Sequence, residues 1–249
     1  MKKTNFLLFL IFLLTSCGPA PTGKPVSACG EYLTAMQALT EGLELPANFQ
    51  TENPVKTGGE FDVMHYFKVL DHLSMEAGYV LDYVYHYDGM GGYPILYAYP
   101  IGQPAYATEA DLAAAGKTPD YLDYVQADDT PESYFQFIIL AEMGRQFFKF
   151  WYANYSDVGF VCDKTAVMAS VASTDQNPWK PMPLPARLQA RFLQDVEPRI
   201  LIGEQTVEVR IITFTLWGGF YSQTYTFQRH FPHAILNTQE VNLVPTTAA

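Results

Sequence analysis

Residues 78–100 read GYVLDYVYHYDGMGGYPILYAYP, and few structures other than a β-hairpin accommodate such a stretch. Two runs alternate with period 2 on either side of Gly89-Met90-Gly91-Gly92. Strict alternation around a glycine-rich turn is the signature of paired strands with two chemically different faces. The odd positions are Tyr79, Leu81, Tyr83, Tyr85 and Tyr87, then Tyr93, Ile95, Tyr97 and Tyr99. Read as one face, they form a tyrosine ladder. The even positions of the first run carry Asp82, His86 and Asp88 between valines, the densest polar cluster in the chain.

The remaining elements follow from period and caps. Helices are expected over 31–43, over 62–73 behind Asp62, over 108–115 from the capping-box string Thr108-Glu109-Ala110-Asp111, over 163–172 behind Asp163, and over 184–197 up to Pro198. The longest runs over 131–153, with Thr130 as cap and Pro131 at its first position. Phe137, Leu140, Gly144, Phe147 and Trp151 form its apolar stripe, opposite Glu142, Arg145 and Lys149. Residues 158–162 suggest a short strand, and Val241 and Leu243 an edge strand. A second hairpin spans 206–217 and 220–231 around Gly218-Gly219. In its first strand Val207, Val209 and Ile211 share one parity, and Ile212, Phe214 and Leu216 the other. Either a bulge falls near Ile211, or both faces are covered there. This order implies an α+β fold: a twisted antiparallel sheet built from two hairpins, packed against the amphipathic 131–153 helix, with several shorter helices around it.

Chemistry has few carriers. His86 could pair with Asp88 near the turn, or with Asp82, as a general acid/base couple. Asp82 and His86 are about 13 Å apart along a strand, too far to share one metal ion. The plainer alternative is a polar strand face turned to solvent. His65 and His72 lie two helical turns apart, and Pro232 breaks the spacing of His230 and His233. No metal site, cofactor motif or nucleophile elbow is recognisable. Tyr83, Tyr85, Tyr97 and Tyr99 would offer a stacking surface for a sugar, peptide or protein if exposed. Leu81 and Ile95 on the same parity favour their burial instead.

The N-terminus carries an address. Lys2 and Lys3 precede an apolar run over 6–14, too short to span a bilayer, and Leu14-Thr15-Ser16-Cys17 closes it. This string resembles the lipobox of bacterial lipoproteins, a resemblance confined to residues 1–17. It implies cleavage of residues 1–16, acylation of Cys17 and attachment of the protein to a cell-envelope membrane on the extracytoplasmic side. Residues 17–28 then read as a Pro- and Gly-bearing tether, and 29–249 as one globular domain. Loss of Lys2 and Lys3 leaves 13 basic against 26 acidic side chains, a formal charge of −13. So acidic a chain is a poor partner for nucleic acid and for an anionic membrane surface, and its charge reads more plainly as a solubilising one.

With Cys17 acylated, Cys29 and Cys162 remain as the pair available for a disulfide in an oxidising compartment. Such a bridge closes a long loop, for which chain entropy gives somewhat under ~5 kcal/mol. Three functions compete: a non-catalytic domain that binds a small molecule or protein, a hydrolase-like enzyme using His86 with Asp88 or Asp82, and a structural envelope component. The address is checked directly. Cys17→Ser abolishes labelling by a fatty-acid precursor and releases the protein from membranes; persistent labelling overturns the anchor.

Overall fold

The computed structural model describes residues 23–116, 120–151, 158–176 and 181–246; Cys17 and residues 1–22 lie outside them. The architecture is α+β, with antiparallel sheets and several helices. Strand β1 (Lys24–Pro25) and helix α1 (Cys29–Thr40) lead to the short α2 (Tyr66–Val69) and to β2 (Leu73–Met75). The first hairpin follows as β3 (Tyr79–Tyr87) and β4 (Gly91–Pro100). Next come α3 (Glu109–Ala114), β5 (Val125–Ala127), α4 (Pro131–Met143), β6 (Phe150–Trp151) and β7 (Gly159–Val161). The chain closes with α5 (Lys164–Ser173), α6 (Leu184–Arg191), β8 (Arg199–Ile202), β9 (Thr206–Thr215), β10 (Gly219–Gln228) and β11 (Ile235–Pro245).

The two hairpins do not share one sheet, which corrects the simplest expectation. The first belongs to a three-stranded sheet, β3-β4-β6, and the second to a six-stranded sheet, β1-β8-β9-β10-β11, in which β7 also pairs with β9. Pairing of β9 with β10 runs unbroken from Thr215↔Gly219 to Thr206↔Gln228. The mixed parity of β9 therefore reflects two covered faces and no bulge. Val207, Val209 and Ile211 join the main core with α4, while Ile212 and Phe214 join a second core with Val167, Val171, Ala186 and Ala190 of α5 and α6.

The central helix is shorter than its apolar stripe and is not amphipathic. Thr130 caps it by accepting from the Ser133 N–H at 3.1 Å, and every residue over 133–140 is buried, as befits a helix enclosed on all sides. It stops at Met143. Among the carbonyls of its last turn and the chain beyond, Leu140 O accepts from the Tyr121 hydroxyl (3.2 Å), Gly144 O from Tyr66 (3.0 Å) and Phe148 O from Tyr85 (2.6 Å). A Cβ on Gly144 would lie 2.4 Å from the Leu140 carbonyl oxygen, so this turn suits only glycine. Phe147 and Phe148 still reach the core, but from an irregular turn with Phe148 at φ +47°.

Local preference loses to tertiary bonds at the expected 62–73 helix too. Asp62 accepts from the Met64 N–H at 2.9 Å as a cap should. The helical turns nevertheless end at Val69, because buried Gln136 of α4 accepts the His72 N–H (2.9 Å) and donates to Asp71 (3.1 Å). Leu73 then starts β2. Helix α6 likewise ends at Arg191, where the Lys164 ammonium donates to the carbonyls of Arg191 and Leu193.

The segment read as a tether is not free throughout. Lys24 and Pro25 pair with Ile200 and Arg199, the Val26 N–H donates to Pro198 O at 3.1 Å, and Val26 is buried. The folded body thus begins by Lys24. Cys29 and Cys162 are joined in a disulfide, Cα atoms 5.6 Å apart, fastening the start of α1 to the residue after β7.

The tyrosine hydroxyls can be weighed singly. Tyr66→Phe and Tyr85→Phe each strand a buried carbonyl and lower unfolding free energy by about 1–3 kcal/mol. The Tyr83 hydroxyl, buried with no hydrogen-bond partner among the described residues, is the control: Tyr83→Phe leaves stability unchanged or raises it. Denaturant titration of the three variants decides, and equal effects at all three positions refute the assignment.

Candidate functional site

The turn of the first hairpin decides what shares a face with what. Asp88 Oδ1 accepts from the N–H groups of Met90 and Gly91, both at 2.9 Å, and Gly89 takes φ +85°. The turn is therefore the two-residue pair Gly89-Met90, with glycine first, as a type II′ hairpin turn requires. An even loop sets odd residues of β3 against even residues of β4: Tyr83↔Leu96, Asp82↔Tyr97, His86↔Tyr93, Val80↔Tyr99.

There is accordingly no single tyrosine ladder. Tyr83 and Tyr85 face the main core, fully buried against Phe147, Phe148 and Phe49. Tyr97 and Tyr99 stand on the opposite face with Asp82. Of these four tyrosines, only Tyr99 keeps appreciable exposure.

That opposite face is covered only in part. Tyr97, Val84 and Leu112 form a small separate core with Tyr99, Ile95 and Tyr106 around it. Beside it opens a cleft of about 440 Å³, lined among others by Lys56, Glu60, Asp62, Asp82, Tyr99 and Tyr106. On its floor the Lys56 ammonium pairs with Asp82, their side chains only 12% and 14% exposed. A pair so buried needs its remaining lone pairs satisfied. Asp82 accepts from the Tyr83 N–H at 2.9 Å and from the Tyr97 hydroxyl at 3.3 Å. Tyr97 in turn accepts from the Tyr106 N–H at 2.9 Å. Burial first, and the Asp82 charge second, hold the Tyr97 hydroxyl in its protonated, donating form.

Lys56 is steadied on two further sides. Its N–H donates to Ala107 O at 2.8 Å, and its ammonium lies 4.5 Å from the centroid of the Tyr83 ring, a cation–π distance. At the rim, partial burial pushes the Glu60 carboxyl up. Hydrogen bonds from the Thr57 and Gly58 N–H groups and the Thr57 hydroxyl outweigh it and bring the carboxyl below its ordinary value. Glu60 is thus an anion at neutral pH. With Asp62 and Asp82 against Lys56, the lining carries more acid than base.

The candidate acid/base couple is not assembled. Asp88 braces the turn, and Asp82 belongs to Lys56. His86 Nδ1 instead meets Glu109 Oε2 at 2.7 Å, from the first turn of α3, and its ring packs 4.9 Å from that of Tyr93. The capping box of α3 is intact, with Thr108 and Asp111 bonded reciprocally, so α3 presents Glu109 on a fixed turn. Lys56, Tyr106 and Glu109 escaped sequence reading. Nothing around Lys56 marks it, and Glu109 was visible only as part of a helix start.

His72 and His233 have structural posts. His72 Nδ1 pairs with Asp128 at 2.7 Å, and that hydrogen bond raises its pKa against the smaller opposing effect of burial. His233 is buried, accepting from the Ala127 N–H at 3.2 Å, and burial pushes its pKa down. Among the described residues no group of three or more His, Cys, Asp or Glu could hold a metal ion, and no helix is long and apolar enough to cross a membrane. No family model, curated protein or solved structure matches the chain.

The two shifted histidines give opposite pH dependences. His72, raised in the fold, stabilises below the ordinary histidine value near 6.5 and loses that contribution as pH rises through its folded pKa. His233, depressed in the fold, stabilises above about pH 6.5 and loses its contribution as pH falls through its own lower pKa. Replacing His233 by Gln therefore flattens the acid-side fall in unfolding free energy between about pH 6.5 and 5. An unchanged slope in denaturant titrations across that range counts against neutral burial of the ring.

Proposed function

We propose that the protein is a lipid-anchored, extracytoplasmic binding protein. Its domain takes a small, hydroxyl-rich ligand such as a sugar into the Lys56–Asp82 cleft, without chemistry on it. The observation that carries this reading is the floor of the cleft. A donor and an acceptor, Lys56 and Asp82, sit side by side in a cleft that Tyr99 and Tyr106 also line. A sugar hydroxyl both donates and accepts, so adjacent groups of opposite kind suit it, and aromatic faces suit the C–H surfaces of a ring. The volume is of the order expected for a small-molecule site, roughly 300–1,000 Å³. The acidic excess of the lining disfavours anions.

Binding is favoured over catalysis by the way the polar groups are held. Asp82 is charge-paired with Lys56, which leaves both groups hydrogen-bonding capacity toward a ligand, while His86 lies against Glu109 outside the residues lining the cleft. The hydrolase alternative would require His86 to reach a carboxylate across a substrate, and neither Asp82 nor Asp88 is available for it in this arrangement. The lipobox supports the address.

Ligand binding to the folded form raises the unfolding midpoint by mass action. A panel of mono- and disaccharides, set against phosphate and citrate as anionic controls, should yield a saccharide that raises Tm in a concentration-dependent way. Tyr106→Ala should weaken that shift tenfold or more while keeping the fold. If no saccharide shifts Tm, or if the anions do so and the saccharides do not, the proposed ligand class is wrong.

A further inference from the structure

Strand β11 forms one edge of the six-stranded sheet, and among the described residues only β10 pairs with it. Residues 235–242 are exposed without interruption, on both side-chain parities, so neither face of that stretch is covered. The far end alone is closed, where the Gln189 side chain donates to Leu243 O at 2.7 Å and Val244 is buried. Edge strands are ordinarily short, interrupted by proline or armed with lysine, which keeps their free backbone groups from pairing with another chain. Residues 235–244 contain no proline and no basic residue, and Glu240 is their single charge in a chain with 26 acids.

The ladder identifies the free groups. In an antiparallel pair the N–H and C=O of a residue turn together toward one neighbour, and successive residues alternate. The Arg229 N–H donates to Gln205 O and the Gln228 N–H to Ala234 O, both at 2.9 Å. Odd residues of β10 therefore bond to β9, and even residues bond to β11 through Thr226↔Asn237, Thr224↔Gln239 and Ser222↔Val241. Thr238, Glu240 and Asn242 direct their N–H and C=O groups at the open edge. Register shifts fall at the two ends, Thr226/Phe227 and Phe220/Tyr221, and leave 237–242 as a regular template.

Those groups call for an extended strand, and the side chains fit a second copy of the same one. Two copies meeting antiparallel about a two-fold axis pair residue i with j and j with i. Free groups must meet free groups, so the axis passes through a residue rather than between two. An axis at Glu240 sets like charges face to face, which is destabilising. An axis at Thr238 draws Leu236, beside the register shift, into the ladder. An axis at Gln239 uses the regular segment 237–241 alone. It places Gln239 against Gln239 of the second copy, Asn237 against Val241, and the Thr238 hydroxyl against the Glu240 carboxylate. The charge of each strand thus meets a donor. Glu240 already accepts from Gln223 Nε2 at 2.9 Å, and an ionised carboxylate has lone pairs to spare for another.

We propose that the protein forms a two-fold dimer through β11, with Gln239 on the axis and the six-stranded sheets of both copies joined into one. Thr238 and Glu240 of opposite copies exchange their backbone hydrogen bonds. Strand β1 lies at the other edge of each sheet, so the N-terminal segments leave from the outer edges of the assembly. The Lys56–Asp82 cleft belongs to the β3-β4-β6 sheet and takes no part.

Sedimentation velocity of the full-length chain, in mild detergent at micromolar concentrations, should show a dimer. Thr238→Pro removes an N–H that β10 does not use, so it should keep the unfolding midpoint and weaken dimerisation at least tenfold. Gln239→Lys, which brings two ammonium groups to the axis, should also weaken it tenfold, and decides alone if the proline variant fails to fold. Gln239→Cys, oxidised in whole cells, should give a reducible species of twice the chain mass. Glu52→Cys, at an exposed position, should not, and the unsubstituted chain oxidised in parallel corrects for any free Cys17 thiol. A monomeric wild type, a dimer that folded variants leave intact, or equal crosslinking at positions 52 and 239 overturns the inference. So does crosslinking of Gln239→Cys to a species of another mass, since it assigns the edge to a foreign strand.

Discussion

Leu140, Gly144 and Phe148 offer buried or half-buried carbonyls where α4 ends and the chain turns back toward β4, and hydroxyls from three different elements answer them. Tyr121 comes from the 3₁₀ turn before β5, Tyr66 from α2 and Tyr85 from β3. A helix end enclosed by apolar side chains has no water to satisfy its last carbonyls, and leaving one unmade costs about 1–3 kcal/mol. These hydroxyls let the helix stop inside the core. They also explain why so many tyrosines are buried here: each brings a ring to the packing and a donor to a specific oxygen. Gly92 belongs to the same arrangement, since a Cβ there would come within 2.7 Å of the Tyr85 hydroxyl. The short β6 strand then pairs with Gly91 and Gly92, so the exit from α4 is sewn to the hairpin it supports.

What was legible in the chain was what short-range forces decide. The caps at Thr108, Thr130 and Asp163 were visible because each side chain bonds an N–H within three residues. Both hairpins were visible because strand alternation is local, but the turn of the second is the three residues 216–218 rather than Gly218-Gly219, since Gly219 already pairs with Thr215. What the chain did not disclose depends on distant partners. The apolar stripe of α4 continues past Met143 in spacing, and only the hydroxyls of Tyr66 and Tyr85, 78 and 63 residues away from the carbonyls they reach, break it. The helix expected over 62–73 is interrupted by Gln136, an ordinary polar residue in sequence and a buried bracket in space. The expected pairing of His86 with Asp88 rested on closeness along the strand. The turn claims Asp88 for its own N–H groups, and His86 finds Glu109 instead.

The register of the first hairpin governs the site more than any single side chain does. Glycine at positions 89, 91 and 92 permits several turn lengths, and side-chain parity inverts with each residue of slippage. The two-residue turn sends Tyr83 and Tyr85 inward and brings Asp82 opposite Tyr97. The same choice that dissolves the tyrosine ladder therefore builds the floor of the cleft. A turn one residue longer would place Tyr83, Tyr85, Tyr97 and Tyr99 on one face, leave Asp82 without the Tyr97 hydroxyl, and leave Lys56 facing a carboxylate with one fewer donor.

Partial cover is what keeps that face accessible. The core side of the hairpin is sealed by a helix end and a cluster of aromatic rings, whereas its outer side is covered by chain segments around Lys56 and Tyr106 and by the one-and-a-half-turn α3. Loops cannot close over a strand pair as a helix or sheet does, because their backbone groups need solvent or specific partners. Here the partners are few: Ala107 O takes the Lys56 N–H, and Tyr97 takes the Tyr106 N–H. Between those two fixed points the cover gapes, and the gap exposes a buried-type ion pair to whatever can enter. A charge pair of this kind is costly to keep beneath an apolar lid and tolerable beneath an open one, so the openness of the cleft and the polarity of its floor stem from the same balance of solvation.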